Sequence, residues 1–177
     1  MPSVSHQLNF LHYPYFRADE QKQIVLQRVL MLTEKYRVSG VVYSIAMNHF
    51  HLRLTINVED KSRIKQYLRG GISYDYKKSF PGRYSTFWQT HHEMIIENKL
   101  IDLKITGYII GNLLKHREVG RICDLWDCPF SSYASIAKRY GREQADALIR
   151  QVINVNENSR GEIDPYQLRQ LKLANPS

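Results

Sequence analysis

A chain of 177 residues, 43% hydrophobic and 24% charged, is long enough for one domain with a real core and has a globular composition, which argues against wholesale disorder. No stretch reaches the length of a membrane span, MPSVSHQLNF lacks the basic-then-apolar form of a signal peptide, and Cys123 and Cys128 allow at most one bridge. Membrane, secreted and disulfide-scaffold classes are therefore set aside and a cytoplasmic location is expected, while 25 Lys and Arg against 17 Asp and Glu (net charge +8), with 12 tyrosines among them, suit a nucleic-acid partner.

In chain order, residues 6–13 (HQLNFLHY) alternate polar and apolar and predict a first strand. Residues 18–37 follow with Ile24, Val25, Val29, Leu32 and Tyr36 at helical spacing. Ser39-Gly40 breaks that pattern, and VVYSIAM is β-branched enough for a second strand. Residues 45–56 read IAMNHFHLRLTI, and the Asn48 region either turns or continues into a third strand. Residues 60–78 predict a strongly basic helix that Gly70-Gly71 can kink or interrupt. PGRYSTFWQT is turn-rich with a short strand, HEMII is another strand, and residues 100–116 are a third helix. Residues 119–133 read as mostly loop, 142–155 as a fourth helix, 156–164 as a polar linker, and PYQLRQLKL as a short basic segment. Strands interleaved with helices predict an α+β fold, a ferredoxin-like sandwich with an antiparallel sheet and helices mainly on one face. We divide the chain into a catalytic domain over 1–140 and a C-terminal helix and basic tail over 141–177.

Two segments carry chemistry. From Phe50 onward the alternation puts Phe50, Leu52, Leu54 and Ile56 on a core face and His49, His51, Arg53 and Thr55 on a polar one. Two imidazoles at one level can converge on one ion, or can simply be strand residues opposite a buried face. In KLIDLKITGYIIGNLLKH, Ile101, Ile105, Ile109 and Leu113 form an apolar stripe. Lys104, Tyr108 and Asn112 share another face, with Lys115 a turn further. Gly107 and Gly111 flank the tyrosine, and each mid-helix glycine costs roughly 1 kcal/mol relative to alanine, which close packing or local movement would explain. Two histidines and an amide oxygen can hold a divalent ion with positions left for phosphate oxygens. A tyrosine biased toward phenolate by that ion, or by Lys104 and Lys115, can attack a phosphodiester.

These residues bring a family into view. MNHFHL resembles the His-hydrophobe-His motif of the single-tyrosine HUH transposases of small insertion sequences, and YIIGNLLKHREVG resembles their catalytic helix. FWQTHHEMII and PFSSY resemble the Trp-Gln segment before that helix and the Trp-Ser-Ser-Tyr segment after it. The similarity spans roughly residues 6–136 and is nearest to the branch associated with repetitive extragenic palindromes. It implies an HUH endonuclease fold, Tyr108 as nucleophile, His49, His51 and Asn112 as ligands of Mg²⁺ or Mn²⁺, and a 5′-phosphotyrosine intermediate on hairpin-flanked single-stranded DNA. Met47 stands where proline commonly precedes Asn-His, and LLKHREVG replaces a Pro-Val-Arg-Ala-Gly tail, which touches loop geometry and DNA contacts.

Competing readings have less support. A His-x-His-x-Asp metallohydrolase would need aspartate where Arg53 stands, and a two-histidine phosphodiesterase would need a second His-x-Thr/Ser strand. His91 and His92 are adjacent strand residues and point to opposite faces, so one ion cannot easily use both. The candidate DNA-contacting cations are Arg53, Arg63, Lys65, Arg69, Lys77, Lys78, Arg83, Lys104 and Lys115. We expect a DNA transposase, a metal-dependent enzyme that nicks and rejoins one strand, acting as monomer or homodimer. The alternative is a domesticated hairpin-binding protein that has lost turnover.

Overall fold

The computed structural model describes residues 3–12, 15–82 and 87–153. Arg83, the 156–164 linker and the PYQLRQLKL segment lie outside the described residues. Strand β1 (Ser3–His12) leads to helices α1 (Asp19–Leu30) and α2 (Leu32–Lys35), then β2 (Ser39–Ile45) and β3 (His49–Asn57). Helix α3 (Lys61–Ser79) crosses to β4 (Trp88–Ile96), followed by α4 (Lys99–Ile110), α5 (Asn112–Lys115), a 3₁₀ turn (Ile122–Trp126), α6 (Tyr133–Tyr140) and α7 (Arg142–Val152). The strands form one antiparallel sheet in the order β2-β3-β1-β4, the ferredoxin-like arrangement in which the two crossovers bring β1 to the centre.

Each face of the sheet has its own helices. On one face Phe10 stacks on Phe50 at 4.7 Å, and Leu8, Leu52 and Leu54 are buried around them. Helix α3 buries Ile64, Leu68, Ile72 and Tyr76, a stripe at four-residue spacing, and α1 buries Val25, Leu26 and Val29. The Trp88 indole donates to the Arg69 carbonyl at 2.9 Å, and Lys61 and Lys65 donate to Glu93, which fixes α3 on this face. The opposite face carries His49, His51 and Arg53, and α4 lies over it. Arg53 Nε and Nη2 donate to the two oxygens of Asp102 at 2.8 and 2.6 Å.

Several elements differ from the sequence reading. The expected 18–37 helix divides at Met31 into α1 and α2, and the 100–116 helix divides at Gly111 into α4 and α5. Hydrogen bonds still run through the second break, from Gly111 N to Gly107 O and from Lys115 N to Gly111 O, both at 3.1 Å. Gly70 and Gly71 do not interrupt α3; a Cβ at Gly71 would stand 2.8 Å from Arg28 Cζ, so the bare backbone makes room for that side chain. The Trp-Gln segment and HEMII are one strand, β4. The 119–133 segment, expected to be mostly loop, contains the 3₁₀ turn, and α6 begins at its last residue.

The glycines of α4 explain how α7 sits. A Cβ on Gly107 would be 2.3 Å from the Leu148 carbonyl oxygen, and one on Gly111 would be 2.6 Å from Ile153 Cδ1. Backbone meets backbone at Gly107, so close packing, the first of the two explanations, accounts for both residues.

Candidate active site

The histidine strand starts from a pinned turn. Ala46 N donates to His49 O at 2.8 Å, Phe16 N to Met47 O at 3.2 Å, and Met47 N to Glu118 Oε1 at 2.8 Å. The other oxygen of Glu118 is paired with Lys22, which is buried on α1 and also lies over the Phe130 ring. Asn48 Oδ1 stands 2.7 Å from His49 Nδ1. The PFSSY segment closes the edge of β2 beside this turn: Ile45 N donates to Phe130 O, Ser132 N to Tyr43 O, and Ser131 Oγ to Ile110 O.

Strand and helix converge on the α4-covered face. The rings of His49 and His51 are 4.9 Å apart and nearly perpendicular. His49 Nε2 lies 3.0 Å from Asn112 Oδ1, and the Tyr108 ring stands edge-on to His51 at 5.2 Å. Lys115 Nζ donates to Tyr108 Oη at 3.3 Å and lies 5.0 Å from the centre of its ring. Both histidines and Asn112 are buried, so the face expected to be polar is enclosed here by α4 and α5. Burial pushes the His51 pKa well below its ordinary value, and His49, His116 and Lys115 push it further, so the ring is neutral.

The donor set suits a divalent ion. Among the described residues no group of three His, Cys, Asp or Glu is arranged to hold one; the oxygen beside the two imidazoles is that of the Asn112 amide. Across the sheet, Ser44, His51 and Asn9 stand in one cross-strand row. Ser44 Oγ, His51 Nδ1, Asn9 Oδ1 and Asn112 Nδ2 are all buried without a hydrogen-bond partner. Orphaned polar atoms cost roughly 1–3 kcal/mol each, and four in one neighbourhood are typical of a site shaped for binding rather than for stability.

His116, which the sequence reading did not single out, packs on His49 with ring centres 4.5 Å apart. Its signal was the continuation of the Tyr108, Asn112 spacing by one more turn. Of the remaining cations, Lys104 stands one turn before Tyr108 on α4, whereas Arg63, Lys65, Arg69, Lys77 and Lys78 belong to α3 across the sheet. Arg63, Lys77 and Lys78 are exposed, and Lys65 is paired with Glu93. Arg53, expected to contact DNA, has its guanidinium taken up by Asp102 and the Gly40 carbonyl, which ties α4 to the sheet. His91 stacks on Phe10 on the α3 face, while His92, the cross-strand partner of Asn9, is exposed on the other.

No family model matches the chain, and no curated protein matches it. Among solved structures, a REP-associated tyrosine transposase bound to a REP hairpin matches 90% of this chain and 91% of its own, with a TM-score of 0.61 and 18% identity. The chain has the fold of a REP-associated tyrosine transposase. With that fold, the four-stranded antiparallel sheet and its helices are accounted for together. No helix among the described residues is long and apolar enough to cross a membrane.

Proposed function

We propose that this protein is a metal-dependent tyrosine transposase that cleaves and rejoins hairpin-flanked single-stranded DNA. One observation carries the reading: His49 and His51 on a strand, and Tyr108 and Asn112 on a distant helical run, meet on one face of the sheet. The match to a transposase bound to a REP hairpin supports the same partner class. His49, His51 and Asn112 would hold Mg²⁺ or Mn²⁺, which when bound polarises the scissile phosphate.

Tyr108 Oη attacks phosphorus and forms a new O–P bond to the 5′ side of the break. The P–O bond to the 3′ oxygen breaks, that oxygen leaves with the electron pair, and it takes a proton from solvent, where the phenolic proton also goes. The Lys115 ammonium, within hydrogen-bonding reach of Oη, stabilises the oxyanion before attack. Rejoining is the reverse displacement by a 3′-hydroxyl, so the bond energy stored in the phosphotyrosine suffices for strand transfer. The cations divide by face: Lys104 and Lys115 suit the cleaved strand, and exposed Arg63, Lys77 and Lys78 suit the phosphates of a hairpin stem.

The deciding experiment incubates the protein with single-stranded hairpins from the DNA flanking its gene and Mn²⁺, then seeks a covalent protein–DNA adduct by denaturing gel and peptide mass spectrometry. An adduct on Tyr108, absent in Tyr108→Phe, is expected. Tight hairpin binding with no adduct would leave a binding protein in place of the enzyme.

A further inference from the structure

We propose that Asn48 is a positioning residue, which fixes the proton of His49 on Nδ1 so that Nε2 presents its lone pair to the ion site. The inference rests on the reading of His49 and Asn112 as ion ligands. A neutral imidazole has one ring proton, and His49 has an amide oxygen at each nitrogen: Asn48 Oδ1 at 2.7 Å from Nδ1, and Asn112 Oδ1 at 3.0 Å from Nε2. Only one oxygen can receive that proton. If it sits on Nε2, it bonds Asn112 Oδ1, and the two ligands close on each other. If it sits on Nδ1, Asn48 accepts it, and Nε2 and Asn112 Oδ1 face one another as two acceptors, an arrangement that a cation relieves.

The backbone favours the second state. Asn48 occupies the turn held by Ala46 N to His49 O, Phe16 N to Met47 O and Met47 N to Glu118 Oε1, so its side chain starts from a fixed point beside Nδ1. The shorter of the two contacts is also the one to Asn48. Asn112, by contrast, is buried with its Nδ2 already lacking a partner, so its oxygen is aimed at the site without compensation elsewhere. His51 has no such neighbour at Nδ1, which is unpartnered, and it serves as an internal control.

The test uses ring-¹⁵N NMR of the metal-free full chain at about pH 8, where imidazoles are neutral. Wild-type His49 is expected to be protonated on Nδ1. Asn48→Ala should move the proton to Nε2 and leave His51 unchanged, whereas Asn48→Asp, which keeps an acceptor, should retain it on Nδ1. Mn²⁺ titration should show an affinity about 10–100-fold weaker in Asn48→Ala, the usual effect of losing a group that orients a ligand. A wild-type His49 protonated on Nε2, or a ring state indifferent to Asn48→Ala, overturns the proposal. If wild type binds no Mn²⁺, the ion-site reading fails, and the ring state still decides the role of Asn48.

Discussion

Lys115 touches Tyr108, the proposed nucleophile, through its ammonium and covers the ring of the same tyrosine. Replacing it with methionine keeps the chain length and removes the charge. Cleavage should slow about 100-fold, the scale of one lost stabiliser of developing charge, while hairpin affinity changes little; single-turnover rates beside a binding isotherm check both. His6 poses a different problem for one side chain. It is 1% exposed, with neither ring nitrogen partnered, under the ammonium groups of Lys61 and Lys65. Burial first, then Lys61, hold its pKa below 6.5, with Lys65 adding to the effect and Glu93 opposing it. The folded chain therefore keeps this ring neutral. Above 6.5 both folded and unfolded states are deprotonated and its contribution is complete; below 6.5 the unfolded chain takes the proton first and stability falls. Denaturant midpoints between about pH 8 and 5 should decline, and His6→Leu should flatten that slope without abolishing it, because His91 and His51 shift the same way.

Among the elements, the α4–α7 contact is the most exacting. A methyl group at Gly107 would meet the Leu148 carbonyl at 2.3 Å, and backbone cannot rotate away as a side chain can. Gly107→Ala should cost about 1–3 kcal/mol by urea unfolding despite alanine's better helix propensity, and should lower Tyr108 reactivity through the displaced helix. This scale also shows what the sequence made legible. Strand alternation and four-residue helix spacing are rigid rules, so His49 and His51 could be paired with each other, and Tyr108 with Asn112, before any fold was known. Helix α6 was read as loop at its start because its beginning depends on distant partners: Ser131 and Ser132 bond to the backbone of α4 and β2, and Tyr133 is buried. His116 continues the four-residue spacing of Tyr108 and Asn112, but as the residue that caps α5 its packing on His49 became visible only in the fold.

For the whole molecule, the placement of charge matters more than its sum. The net +8 suggested nucleic acid, but only the crossover topology reveals that the α3 cations lie across the sheet from Tyr108. Arg53, in line with the histidines, is paired with Asp102, a partner supplied from 49 residues away. Separation by face predicts separable effects. Lys77→Glu with Lys78→Glu should weaken hairpin binding and reduce its salt dependence by about one unit of slope per lost phosphate contact. Adduct formation at saturating DNA should be retained. Filter binding across a salt series, paired with the adduct assay, separates the two.

The carboxylate of Glu118 joins three parts of the molecule at once, the end of the helical run, the turn before β3 and α1. It follows the helical run that carries Tyr108, Asn112 and Lys115, yet it holds the amide of Met47 just ahead of the histidines and is itself held by Lys22 on α1. The spacing between the Tyr108 oxygen and the His49 and His51 nitrogens is thus gauged by a residue outside the proposed reaction. A drift in α1, on the far layer of the sheet, would be read out as a change in reach between two halves of one centre, with every reacting group still present.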